Sequence, residues 1–186
     1  MSIIDLVEIH EFTFMAKNLH LKGAGAHASI TYRKGASIEL TKYAVVISCQ
    51  DGARGEYVAL WGGTRPALAQ TITLAPLLLG RDADHREQIY DDLKRELRQY
   101  DHYGHGPIDI ALWDLAGRKF GASISQLLGG YRGRLKAYAS TYHADRSGGL
   151  DSKEKFAAFA EQCFDLGYRG FKIHGWNEGD AKEEAE

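Results

Sequence analysis

The run Gly170-Phe171-Lys172-Ile173-His174-Gly175-Trp176 places a primary amine and an imidazole two residues apart. On an extended strand, residues i and i+2 share a face, so Lys172 and His174 point one way and Phe171 and Ile173 the other. That division suits a strand of a (β/α) barrel, whose apolar side packs on helices while the other side looks inwards. The pair would then lie near the strand's C-terminal end, where barrels build their active sites. A lysine placed there loses hydration, and desolvation with neighbouring cations lowers its pKa, as a general base requires. The spacing fits an edge strand with one wet face equally simply, and taken alone it favours that plainer arrangement. A second cluster, Tyr100-Asp101-His102-Tyr103-Gly104-His105, sets two histidines three apart beside a carboxylate, a metal-ligand pattern. It falls in a Gly-containing loop with no matching ligand pair elsewhere, which favours a solvated or substrate-facing loop.

Several chemistries are absent. Residues 121–130 lack the spacing of a phosphate loop, and no Gly-x-Ser-x-Gly elbow or Cys-x-x-Cys pair occurs. Trp113 sits in a helical pattern and reads as core. Cys49 and Cys163 are far apart and read as free thiols of a reducing compartment.

The elements that must hold these residues follow from periodicity. Residues 3–14 and 37–50 are rich in β-branched and aromatic side chains, and Asp51-Gly52 turns the second run back into residues 55–61. A three-stranded antiparallel meander results. Residues 17–34, with Gly23, Gly25 and three alanines, read as a long loop. Helices are expected over residues 64–79, 84–100, 108–119 and 123–128, with Pro76 kinking or shortening the first. After Gly129-Gly130 the pattern changes. Residues 135–142 form a strand, Asp151-Ser152-Lys153-Glu154 caps a helix with Asp151 at the cap, and residues 168–174 form a second strand. That βαβ unit requires a parallel pair with a right-handed crossover.

The chain has 186 residues, a formal net charge of −2, 44% hydrophobic and 26% charged residues. This is the balance of an ordinary soluble globular protein. No apolar run approaches the roughly 20 residues of a membrane span, and Met1-Ser2-Ile3-Ile4-Asp5 lacks the features of a signal peptide. Near-neutral charge leaves no electrostatic footprint for nucleic acid. The expectation is a cytoplasmic protein with neither nucleic acid nor membrane as partner. A whole (β/α)8 barrel needs about 250 residues, so the length cannot hold one.

The run Ile108-Asp109-Ile110-Ala111-Leu112-Trp113-Asp114-Leu115-Ala116-Gly117-Arg118, followed by Ser123-Ile124 and Leu127-Leu128-Gly129, resembles a signature of the mandelate racemase / muconate lactonizing enzyme branch of the enolase superfamily. The resemblance implies an α+β capping domain (meander, then helices) over residues 1–130. Residues 131–186 would begin a TIM-type (β/α) barrel with its first βαβ unit, the barrel itself being truncated. Lys172-Ile173-His174 resembles the family's Lys-x-Lys motif on the second barrel strand, which reverses the preference for a plain edge strand.

The resemblance implies an Mg²⁺-dependent lyase or isomerase that abstracts the α-proton of a small carboxylate: an acid-sugar dehydratase, a racemase or a cycloisomerase, acting as a homo-oligomer. By position Lys172 matches the lysine that contacts the carboxylate, and His174 stands where the second lysine, the base, is usual. Imidazole takes a proton at neutral pH. Residues 17–34 and 57–64 resemble the two loops that close over substrate, with His20, His27, Tyr32 and Trp61 as candidate contacts and Tyr142 at the end of the first barrel strand. A polar, His-containing lid suits a hydroxylated acid such as a sugar acid. The family draws its metal ligands from the third to fifth strands, so no ligand is expected within this chain, and the 186 residues alone are expected to be inactive. The alternative, drawn from the residues without the resemblance, is a non-enzymatic α+β binding or structural module whose Gly/His loop holds a small ligand.

Overall fold

Tyr43, Val45, Ile47 and Cys49 alternate along one strand and are all buried, the pattern of a sheet with one face on the core. They belong to β2 (Ser29–Cys49), which lies between β1 (Ile4–Lys22) and β3 (Arg54–Val58) in a three-stranded antiparallel sheet of order β1-β2-β3. The computed structural model describes residues 1–23, 29–59, 64–141, 146, 148–176 and 181–185. β2 and β3 pair from Ala44↔Val58 to Ser48↔Arg54. Gly52 closes their turn at φ +84°, where a side chain would be strained, and its N–H donates to the Cys49 carbonyl at 2.9 Å. The Asp51 carboxylate accepts from the Ala53 N–H at 3.0 Å. The expected Asp-Gly hairpin therefore forms.

Of the expected loop over residues 17–34, residues 17–22 and 29–34 are strand instead. β1 continues to Lys22 and β2 begins at Ser29, so both strands run far into that segment. Leu19, Leu21, Ile30 and Tyr32 supply the apolar and aromatic side chains that a strand tolerates, while Gly25 and the three alanines of the segment lie outside the described residues. Asn18 takes φ +59°, and its side-chain oxygen accepts from the Gly35 N–H at 3.0 Å across the hairpin.

The helices cover the sheet's core. α1 (Thr64–Leu74) gives way to a 3-10 turn, Ala75–Leu78, at Pro76, so it is shorter than its apolar periodicity implied. α2 (Arg86–Glu96) buries Ile89 and Leu93. α3 (His105–Phe120) buries Ile108, Ala111, Leu112, Leu115 and Ala116, a stripe at helical spacing. It begins three residues earlier than expected, because Pro107 occupies its first turn, where a missing N–H costs nothing. α4 (Ile124–Leu127) starts with a capping box in which Ser123 and Gln126 satisfy each other's backbone amides. Gly55 lets β3 lie directly on α3. A Cβ there would collide with the Ala111 carbonyl and with Leu115. The signature residues serve the same contact, since the Asp114 carboxylate accepts from the Glu56 N–H at 2.9 Å and from Arg118 Nε at 2.8 Å.

β4 (Ala139–Ser140) and β5 (Phe171–Lys172) pair in parallel, with α5 (Lys153–Asp165) between them in sequence and α6 (Ala181–Ala185) after. The strands are shorter than the runs that predicted them. The α5 cap is Ser152 rather than Asp151. Its hydroxyl accepts from the Lys155 N–H, while Asp151 pairs with the Lys155 ammonium at 2.6 Å. Serine at the cap leaves the longer-range carboxylate to act on the side chain one turn on.

By contacts the chain divides into two units. One comprises Met1–Phe14 with Leu40–Tyr131, the other Met15–Glu39 with Arg132–Glu186. No described helix is long and apolar enough to cross a membrane.

Candidate functional site

The β4–β5 pair carries the Lys172-Ile173-His174 segment. Its ladder begins with the Ala139 N–H donating to the Gly170 carbonyl at 3.0 Å and continues with the Thr141 N–H donating to the Lys172 carbonyl at 3.1 Å. Gly170 admits the close passage of the two strands, for a Cβ there would sit 3.1 Å from that of Tyr138. Phe171 turns towards α5, its ring 6.0 Å from that of Phe159 at 71°. Lys172, of opposite parity, is exposed. Ile173 does not join Phe171 on the helix side as alternation predicts. It is 58% exposed, because the regular strand ends at Lys172 and strict alternation ends with it.

Thr141 then holds the segment beyond the strand. Its hydroxyl oxygen accepts from the His174 N–H at 2.8 Å. Lys172 and His174 are therefore both tied by their main chains to one buried threonine, 5% exposed, at the C-terminal end of β4. The half-buried His174 imidazole lies on the same chain end. Sequence reasoning passed over Thr141. The available signal was a β-branched hydroxyl at the end of a strand, next to the strand bearing the pair.

Past His174 the chain returns to α5. The Trp176 indole N–H donates to the Leu150 carbonyl at 2.9 Å, and its ring meets Phe156 at 5.6 Å. The Arg146 guanidinium stacks on the same indole, 3.9 Å from its centre. Asp151 nearby titrates below the usual carboxylate range, chiefly through its bond to Lys155.

Of the expected lid residues, His20 and Tyr32 lie half-buried on β1 and β2. The neighbouring Thr31 hydroxyl donates to the His20 carbonyl at 3.4 Å. Both belong to the Met15–Glu39 arm, which forms one compact unit with Arg132–Glu186, the segment that holds Lys172 and His174. His27, Trp61 and Tyr142 fall outside the described residues.

The second histidine cluster separates into an exposed and a buried member. His102 is exposed. His105 is 5% exposed, begins α3 and packs against Tyr90 of α2, the rings tilted by 52° with centres 4.4 Å apart. Its Nε2 has no hydrogen-bond partner, and burial pushes its pKa down, helped by His102 and Lys94. Among the described residues no three His, Cys, Asp or Glu side chains converge to hold a metal ion. Trp113 is half-buried under the Arg86 guanidinium, 4.6 Å from the ring centre.

The model of the mandelate racemase / muconate lactonizing enzyme N-terminal domain matches residues 26–129. D-galactarolactone cycloisomerase of Agrobacterium fabrum is 40% identical over 102 residues, which cover 52% of this chain and 27% of that protein. The 3,6-anhydro-alpha-L-galactonate cycloisomerase of Streptomyces coelicolor is 30% identical over 150 residues, 75% of this chain and 39% of the relative. Among solved structures, D-glucarate dehydratase from Agrobacterium tumefaciens complexed with magnesium superposes with a TM-score of 0.79 at 27% identity, over 98% of this chain and 48% of that one. The chain thus spans 27% and 39% of these two curated relatives and about half of the solved structure.

Proposed function

Because the chain belongs to the mandelate racemase / muconate lactonizing enzyme family of the enolase superfamily, we propose that it contributes the carboxylate-binding and proton-abstracting residues of an enzyme acting on an acid sugar. The reaction is loss of the proton α to a carboxylate, followed by loss of water or by cycloisomerisation. The observation that carries this reading is the position of Lys172 at the C-terminal end of β5 and of His174 two residues beyond it, bonded to Thr141 just past the parallel β4. Residues 1–130 act as the capping domain and residues 131–186 as the start of the barrel. The inclusion of the Met15–Glu39 arm in the unit that holds Lys172 and His174 supports its role as a lid over the substrate.

Lys172, an exposed ammonium, offsets the charge of the substrate carboxylate. That favours the extra negative charge that gathers there as the α-proton leaves. His174 takes the proton on its imidazole, whose ordinary pKa near 6.5 suits a base at neutral pH. The names of the relatives, which act on galactarolactone, anhydrogalactonate and glucarate, support a polyhydroxylated carboxylate as substrate. The solved relative's magnesium supports Mg²⁺ as the ion of the whole enzyme. The described residues do not form a ligand set for it.

The test is α-proton exchange in D₂O, followed by NMR, with galactonate, gluconate and glucarate in the presence of Mg²⁺, using the intact protein that contains this sequence. Lys172→Ala and His174→Ala should each lower exchange by about 100-fold or more, the usual contribution of a positioned acid–base group. Unchanged exchange in both variants overturns the assignment.

A further inference from the structure

The parallel ladder, continued by one step, sends the His174 N–H to the main-chain oxygen of Thr141, since successive donors on paired parallel strands alternate in this way. The structure departs from that step. The His174 N–H is taken by the Thr141 side-chain oxygen at 2.8 Å, two residues after Lys172, whose carbonyl accepts from the Thr141 N–H at 3.1 Å. A side chain has replaced the backbone as acceptor where the strand ends. The substitution releases the chain from the pleat at Ile173, which is 58% exposed, and still fixes the next residue. Thr141 is itself only 5% exposed, so its hydroxyl works in a site with little competing water.

We propose that Thr141 is a positioning residue for the Lys172–His174 pair. Its main chain holds the Lys172 carbonyl and its hydroxyl holds the His174 amide, so the main-chain positions from which the amine and the imidazole project are fixed by one residue on the neighbouring strand. The catalytic consequence rests on the function proposed above, whereas the positioning itself stands apart from it. Threonine suits the post because one residue supplies both the strand-favouring branched carbon and the acceptor.

The experiment compares Thr141→Val, which keeps the shape and removes the acceptor, with Thr141→Ser, which keeps the acceptor. Amide hydrogen exchange is measured by NMR at His174, with the backbone amide of position 141 and the α5 amides as internal references. In Thr141→Val the His174 amide should exchange faster by about tenfold while the reference amides hold their rates, and Thr141→Ser should restore protection. Equal His174 protection in wild type and Thr141→Val overturns the proposal, as does loss of protection in Thr141→Ser. Should Thr141→Val fail to fold, the wild-type rate decides. A His174 amide as slow as that of Thr141 supports the bond, and one exchanging at the rate of an unstructured peptide overturns it. In the intact protein, Thr141→Val should lower kcat for α-proton exchange with KM little changed, and Thr141→Ser should recover it. If the wild-type protein exchanges no α-proton, the functional reading fails while the amide rates still decide the positioning.

Discussion

His105 shows how a residue type that invites catalysis can serve packing instead. Its ring lies against Tyr90 of α2, with Lys94 of the same helix and His102 of the preceding segment as the charged and titratable neighbours that lower its pKa along with burial. A histidine with a folded-state pKa below the ordinary value contributes nothing to pH dependence when both states are neutral, above about pH 6.5. As the pH falls through that value the unfolded chain takes up a proton that the folded chain refuses, and stability declines. Thermal unfolding at pH 7.5 and 5.5 should therefore show a larger loss for the wild type than for His105→Phe. Equal losses would show that His105 is not held neutral. At Lys172 and His174 the residue types and their spacing were legible in the sequence. The acceptor that holds His174 was not, because a hydrogen bond between residues 33 apart leaves no local periodicity.

Among the elements, α3 was the easiest to anticipate. Its stripe from Ile108 to Ala116 follows helical spacing, and all five members are buried. What the pattern did not reveal is the surface that α3 meets. Gly55 on β3 is the point of contact, and any side chain there must displace the α3 backbone at Ala111. Gly55→Ala should cost about 1–3 kcal/mol, the usual penalty for overpacking, read as a lowered denaturant midpoint. An unchanged midpoint would mean that β3 and α3 can separate without loss. The hairpin of β1 and β2 was misjudged in the other direction. Its glycines and alanines suggested a loop over residues 17–34, yet the residues up to Lys22 and from Ser29 are strand, each supplying the other's backbone partners. The α5 cap shifted by one residue because Ser152 takes the Lys155 amide while the Asp151 carboxylate is held by the Lys155 ammonium.

Within these 186 residues the buried core is distributed unevenly. The connected cluster of buried apolar residues, from Ile4 through Tyr43 and Ile89 to Leu115, lies entirely in the unit made of Met1–Phe14 and Leu40–Tyr131. In the other unit Phe156 and Cys163 are the buried hydrophobic residues among those described, while Leu135, Leu166 and Ile173 are 80%, 79% and 58% exposed. In the 186-residue chain, hydrogen exchange resolved by residue should accordingly find the α3 amides the slowest and those of α5 faster by about two orders of magnitude or more, because local opening free energy follows buried contacts. Comparable protection in the two helices would refute this reading of the core. The sequence by itself determined the order of elements, the α3 stripe, the Asp-Gly turn, the parallel βαβ unit and the family, since each is written in spacings of a few residues. Tertiary structure alone decided that the 17–34 segment is mostly strand, that Met15–Glu39 joins the unit of Lys172 and His174, that His105 is core, and that Thr141 holds His174. Those outcomes depend on contacts between residues remote in the chain, where the energy of pairing and burial outweighs local preference.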